Sequence, residues 1–182
     1  NTYKDFVGNS ACTACPAHSE SPEGSVNVDE CLCAAGYFMN DASCDPCDVG
    51  TYTDTTDNDA CSVCPDDSTT PGTGSTSLSD CSCNSGYSGI NGGACTICPA
   101  NTYEDISTNT CTNCPDNAVS DEGSFDVTAC KCSYDFTGPD GGVCSACSDS
   151  TYKNSIGSEA CSDCPDDSVC FYSVSTSSTQ IT

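Results

Sequence analysis

Apolar residues in this chain do not recur at the three- and four-residue spacing of an amphipathic helix. They stand singly or in short alternating runs, such as the stretch FDVTACKC at residues 125–132. In that run Phe125 and Val127 would share one face of a strand. The pattern predicts short β-strands and turns with little or no helix.

The chain has too few apolar side chains to build an ordinary core. Leucine, isoleucine, valine and phenylalanine supply only 22 of its 182 residues, and its formal net charge is −24. Ordering the backbone costs about 1 to 2 kcal/mol per residue, which so polar a chain cannot offset by burial. We therefore expect covalent cross-links to hold the fold.

Cysteine is the source of those cross-links, because the chain contains 21 of them. Closing a loop of about 15 residues removes roughly 3 kcal/mol of unfolded-state freedom. Disulfides at this density persist only in oxidising surroundings, so the composition predicts an extracellular or cell-surface protein. We find no signal peptide and no apolar run of membrane-spanning length, and we expect a mature form or a segment of a larger protein.

The cysteines recur with a period of about 50 residues. We divide the chain into a partial repeat at 1–46, whole repeats at 47–97 and 98–146, and a partial repeat with a Ser/Thr-rich tail at 147–182. Other landmarks recur in register: a Thr-Tyr pair before one CxxC, a proline after it, a Gly-Ser pair, and an aromatic residue after each CxC. The aromatic residues are Tyr37, Tyr87 and Phe136.

The pattern C-x2-[GA]-x-TY…CxxCP…GS…CxC-x2-GY…C resembles the ephrin-receptor-like cysteine-rich repeat, which is similar in turn to tumour necrosis factor receptor modules and EGF-like domains. The resemblance covers nearly the whole chain up to Cys164. It departs from the pattern where Asp135 replaces the glycine of "GY" and where the fourth repeat is cut short at "CPDDSVC". The resemblance implies an elongated rod of small disulfide-rich modules, found in receptors, matrix proteins and protist surface proteins alike.

The cysteine pairs set limits on how the disulfides connect. Two cysteines in a CxC would close a very tight ring, so each should reach a different partner. Joining the last cysteine of one pair to the first of the next suits both motifs, although spacing alone leaves the connectivity a hypothesis. The expected bridges are Cys15–Cys31, Cys33–Cys44, Cys47–Cys61, Cys64–Cys81, Cys83–Cys95, Cys98–Cys111, Cys114–Cys130, Cys132–Cys144, Cys147–Cys161 and Cys164–Cys170.

This rule leaves Cys12 without a partner. An odd cysteine in a secreted protein indicates either a partner in preceding sequence or one in another subunit, and both alternatives stay open.

Metal and redox chemistry are the competing interpretations of CxxC. Paired CxxC motifs can hold zinc, but three interleaved CxC pairs and a single histidine favour disulfides. A thioredoxin-like site needs one couple in a βαβ context, whereas seven couples indicate architecture.

We expect no catalytic activity and no cofactor. His18 lies in the turn-like segment "PAHSESPE", where a surface position is the better interpretation than a general base. Calcium stays an open alternative, through Asp54, Asp57 and Asp59, against that of a solvated acidic surface.

The charged and hydroxyl residues indicate which classes of partner the chain could bind. Only Lys4, Lys131 and Lys153 are basic, which argues against binding to nucleic acid or to an anionic membrane. Serine and threonine number 49, with a dense run at residues 68–77. O-linked glycans at Thr69, Thr70, Thr73 and Thr76 and simple turn-filling both remain open. The tail at 171–182 suits either an added strand or a flexible spacer.

Together these features predict a non-catalytic, acidic structural glycoprotein of a filament, surface appendage or matrix. Its partners would be copies of itself or neighbouring repeats. The alternative is a receptor ectodomain or adhesion module, which the absence of arginine disfavours.

Overall fold

A computed structural model of the chain describes residues 1–41, 43–56 and 60–165. The chain divides into two compact units, one formed by Asn1–Ile97 with Ser107–Thr110 and the other by Cys98–Ile106 with Cys111–Thr182. The described residues form short paired strands and single-turn 3₁₀ helices, with disulfides in tandem. The predicted fold class of small disulfide-rich repeats is therefore confirmed.

The strands of the described residues pair as ten two-stranded sheets, and each sheet joins strands that follow one another along the chain. The pairs are β1 Thr2–Tyr3 with β2 Thr13–Ala14, β3 Ser19–Glu20 with β4 Leu32–Cys33, β5 Tyr37–Asn40 with β6 Ser43–Pro46, β7 Thr51–Tyr52 with β8 Ser62–Val63, β9 Ser68–Thr69 with β10 Ser82–Cys83, β11 Tyr87–Ser88 with β12 Thr96–Ile97, β13 Thr102–Asp105 with β14 Thr110–Asn113, β15 Ala118–Val119 with β16 Lys131–Cys132, β17 Phe136–Thr137 with β18 Ser145–Ala146, and β19 Thr151–Tyr152 with β20 Ser162–Asp163.

The proline after CxxC begins a turn in the first three repeats. Its carbonyl accepts a hydrogen bond from the amide three residues on, at 3.1 to 3.3 Å. The residue before that amide has a left-handed backbone, which short polar side chains tolerate better than most. These residues are His18, Asp67 and Asn117, with φ of 61°, 58° and 62°.

Three single-turn 3₁₀ helices precede the CxC motifs, at Val28–Glu30, Leu78–Asp80 and Val127–Ala129. The expectation that Phe125 and Val127 share one face of a strand is therefore wrong. Asp126 lies between them as an N-cap, and its carboxylate accepts from the Thr128 amide at 2.8 Å. That cap turns the chain into a helix, and Phe125 is left 61% exposed.

The hydrogen bonds of the Asp126 cap change the pKa of its carboxyl group. The Thr128 hydroxyl, at 2.7 Å, and then the Thr128 amide lower the pKa of Asp126 below its ordinary value. Because this pKa is depressed in the folded chain, the ionised Asp126 carboxylate stabilises the folded state at pH values above its unfolded-state pKa. This stabilisation is lost as the pH falls through the folded-state pKa of Asp126. In an NMR titration, T128V should raise the Asp126 midpoint while T128S keeps it low; equal midpoints in T128V and the parent would contradict the assignment.

Cysteine makes up the apolar part of the interior in the described residues. Every apolar side chain that is buried there belongs to a cysteine, and Cys33, Cys47, Cys81, Cys98 and Cys132 are fully enclosed. Large apolar side chains such as Ile106 and Val63 stay exposed. The sulfur bridges therefore fill the space that a hydrophobic core would otherwise fill.

Backbone hydrogen bonds join the first repeat to the second. The Gly36 amide donates to the Thr53 carbonyl at 2.9 Å, and the Cys47 amide donates to the Gly36 carbonyl at 2.8 Å. Gly36 has φ 84°, and a Cβ added there would lie 2.4 Å from the Gly74 carbonyl oxygen. This position therefore requires glycine.

Candidate functional site

The disulfide ladder is the most regular feature of the described residues. The bridges there join Cys15–Cys31, Cys33–Cys44, Cys47–Cys61, Cys64–Cys81, Cys83–Cys95, Cys98–Cys111, Cys114–Cys130, Cys132–Cys144 and Cys147–Cys161. Each joins the same two cysteines as the sequence rule. Cys164 is disulfide-bonded, whereas its expected partner Cys170 lies outside the described residues.

The strands explain why the cysteines of a CxxC do not bond to each other. In all seven CxxC motifs the two intervening residues belong to a strand, as Ser62–Val63 do between Cys61 and Cys64. Across three steps of extended chain the two Cα atoms are about 10 Å apart, beyond the roughly 7 Å that a disulfide spans. The bridged Cα atoms are 5.4 to 5.8 Å apart.

Cys12 is the free cysteine of the described residues, and it is exposed. The cysteines at the same position of the later repeats are bridged: Cys61 to Cys47, and Cys161 to Cys147. An exposed thiol in an otherwise bridged chain should be open to reagents in solution.

We therefore expect iodoacetamide to label Cys12 in the folded, unreduced chain. Peptide mapping should find the carbamidomethyl group at Cys12, and Cys61 linked to Cys47. The disulfide-bonded Cys15, which directly follows strand β2, is the internal control. A Cys61–Cys64 bridge would contradict this pairing, whereas a disulfide between the Cys12 residues of two copies would contradict the free thiol and place its partner in another subunit.

The residue after each Thr-Tyr pair occupies a position that sequence reasoning missed. It is Lys4, Thr53, Glu104 and Lys153 in the four repeats, and the last three are buried. Lys153 is only 4% exposed, and its ammonium group donates to the carbonyls of Cys132, Phe136 and Gly157. The Thr-Tyr pair marks this position in every repeat, but the four side chains differ in size and charge. The sequence therefore did not predict that the position is buried.

His18 lies in the turn where the sequence placed it. Its side chain is exposed, and its ring stacks on Tyr37 with centroids 4.2 Å apart and planes 8° apart. The stack explains how an aromatic ring of the CxC segment contacts the proline turn of the same repeat. The geometry is that of a stacked aromatic pair at the surface.

The calcium candidates are not brought together by the described residues. Asp54 is exposed, and Asp57 and Asp59 lie outside the described residues. Within residues 1–41, 43–56 and 60–165, no three His, Cys, Asp or Glu side chains are grouped so that they could hold a metal ion.

The structure separates the four candidate glycosylation sites. Thr73 and Thr76 are exposed, and Thr69 is half-buried in β9. Thr70 is 2% exposed; its hydroxyl accepts from the Gly50 amide at 2.9 Å and donates to the Gly72 carbonyl at 3.0 Å. A glycan on Thr70 would require this turn to unfold, so we remove Thr70 from the candidates.

Two exposed apolar pairs occupy the same register in the first and third repeats. Phe6 and Val26 border a cleft of about 900 Å³, and Ile106 and Phe125 border one of about 220 Å³. Each pair consists of a residue three positions after the tyrosine and the residue after Gly-Ser. The sequence prediction did not single out these pairs, because they lie in segments assigned to strands and turns.

Comparison with known proteins agrees with this architecture. Residues 36–81 match the family model described as "Tyrosine-protein kinase ephrin type A/B receptor-like". The chain is 32% identical over 118 residues to cysteine repeat modular protein A of Toxoplasma gondii, which is 57% of this chain and 4% of that protein. It is 30% identical over 145 residues to cysteine repeat modular protein B, 63% of this chain and 2% of that protein.

Residues 36–81 thus form a cysteine-rich repeat of the ephrin-receptor-like type, and the chain is similar to cysteine repeat modular proteins. Its disulfide content is that of a secreted or cell-surface repeat protein. It spans only a few per cent of the length of the two relatives. Among the residues that the structure describes, no helix has the length and apolar content to cross a membrane.

Proposed function

We propose that this chain is a non-catalytic, load-carrying segment of an extracellular filament, surface appendage or matrix. The observation that supports the proposal is the unbroken succession of bridges, each closing a loop of 11 to 17 residues before the next begins. Pulling on such a chain places every bridge under tension, and a covalent bridge does not yield as a hydrophobic core does. An elongated arrangement of the repeats, with neighbouring repeats or further copies as partners, is part of this proposal.

Stretching single molecules tests the proposal. The oxidised chain should resist extension, and added reductant should release it in discrete steps of about 30 to 55 Å, one for each loop. A chain with all cysteines carbamidomethylated after reduction is the control and should extend without steps. If the oxidised chain extends as easily as this control, the load-carrying role is wrong.

Solution scattering tests the elongated arrangement separately. A compact chain of this length should have a radius of gyration of roughly 16 Å. We expect a clearly larger value for the oxidised protein. A compact value would contradict the elongated arrangement and would leave the stretching result to decide the load-carrying role.

An adhesion module is the second candidate, and the exposed apolar pairs favour it. Ile106 is 84% exposed, and Glu104, Asp105 and Asp126 line the same cleft as Ile106 and Phe125. Exposed apolar side chains rimmed by polar groups are common in binding surfaces.

Binding of the labelled chain to intact cells distinguishes the two candidates. An adhesion module should bind, and I106S/F125S should lose binding. The variant I90S/V143S changes two other exposed apolar residues and should bind as the parent does. Equal binding by both variants would remove the adhesion role for this cleft.

A further inference from the structure

The positive charge of Lys153 is buried where the third repeat meets the fourth. The Lys153 ammonium lies 2.8 Å from the Phe136 carbonyl oxygen and 3.4 Å from that of Cys132, and it also donates to the Gly157 carbonyl. An ammonium group has three N–H donors. All three therefore have acceptors, although the side chain is almost completely enclosed.

This arrangement connects three separate segments. Cys132 belongs to β16 and Phe136 to β17, both in the third repeat, whereas Gly157 follows β19 in the fourth. Burying an ammonium group is unfavourable unless polar groups replace its water. The charge is therefore tolerated only while the carbonyls of both repeats remain in place.

Asp135 also joins the third repeat to the fourth, through hydrogen bonds to the Lys153 backbone. It adopts the left-handed conformation with φ 62° at the position where Gly36 stands in the first repeat. Its amide donates to the Lys153 carbonyl at 3.0 Å, and its carboxylate accepts from the Lys153 amide at 3.3 Å. The departure of Asp135 from the "GY" pattern thus coincides with the repeat junction that contains a buried lysine.

The first junction has the same backbone hydrogen bonds, from the Gly36 amide to the Thr53 carbonyl and from the Cys47 amide to the Gly36 carbonyl, but different side chains. Thr53 stands at the position of Lys153, and the Gly74 carbonyl approaches Gly36 so closely that no side chain fits. Lys4 keeps one element of the lysine arrangement, because its ammonium donates to the carbonyl of Gly8, four residues on, as Lys153 does to Gly157.

We propose that Lys153 is a positioning residue that fastens the fourth repeat onto the third through its ammonium group. This joining of the repeats by Lys153 does not depend on the load-carrying role.

Hydrogen exchange in the full chain tests it. K153M keeps the side-chain stem and removes the charge, and it should speed exchange of the Asp135 and Gly157 amides by about tenfold or more. The Gly36 and Gly74 amides of the first junction should keep the parent rates. K131M removes the charge of an exposed lysine and should change neither set. Parent rates at Asp135 and Gly157 in K153M would overturn the proposal.

A second measurement uses the unaltered protein and does not require K153M to fold. Acetylation by an N-hydroxysuccinimide ester should modify Lys131 at least tenfold faster than Lys153, because the Lys153 amine is enclosed. Mass mapping of the acetylated lysines during a time course gives both rates. Equal rates at Lys131 and Lys153 would show that the Lys153 amine is accessible in solution. The proposed role of Lys153 would then be wrong.

Discussion

Reduction of all the bridges should unfold the described part of the chain completely instead of merely loosening it. The buried apolar side chains there are all cysteines, so no hydrophobic core remains once the sulfur atoms separate. Each closed loop of this size contributes about 3 kcal/mol in the chain-entropy model. The formal net charge of −24 would then drive the reduced chain apart.

Amide NMR spectra under oxidising and reducing conditions measure this effect. Dispersed, slowly exchanging amides should collapse to the narrow range of an unfolded chain after reduction and alkylation. The matched control is the unreduced chain alkylated at Cys12, which should keep its dispersed spectrum. Protected amides in the reduced chain would show that the backbone hydrogen bonds hold the fold without the bridges.

Gly36→Ala should be among the most damaging single substitutions in the first unit. The new Cβ would lie 2.4 Å from the backbone oxygen of Gly74, which cannot move aside as a flexible side chain could. Left-handed backbone adds about 1 to 2 kcal/mol for alanine, and the overlap about 1 to 3 kcal/mol more. We expect a loss of about 2 to 5 kcal/mol, measured by denaturant unfolding with the disulfides intact.

Gly24→Ala separates the two causes. Gly24 has φ 88°, close to that of Gly36, but a Cβ there would meet nothing within 4 Å. This control should show only the backbone cost of about 1 to 2 kcal/mol. Equal losses in the two variants would mean that the close approach of Gly74 is relieved at little cost.

The repeat pattern predicts much of this fold because its main determinants are local. Cysteine spacing restricts the bridges to short loops, and the Thr-Tyr pairs become strands opposite the residues inside CxxC, as Tyr52 does opposite Ser62. Both features depend on residues within about 20 positions of each other.

The repeat pattern does not predict features that depend on several segments of the chain at once. The burial of Lys153 requires carbonyls from Cys132 and Phe136, and that of Thr70 requires the Gly50 amide, which lies before strand β7. The 3₁₀ turns did have a local signal, an N-cap residue at Asn27, Ser77 or Asp126, but the alternating apolar pattern obscured it.

The order of the bridges has a consequence for how such chains change in evolution. In the described residues no disulfide encloses or crosses another, because each closes before the next cysteine pair begins. Duplicating or deleting one segment of about 50 residues therefore leaves every remaining cysteine with its own partner. Arrays of different length can arise by unequal recombination without passing through an intermediate with mispaired cysteines.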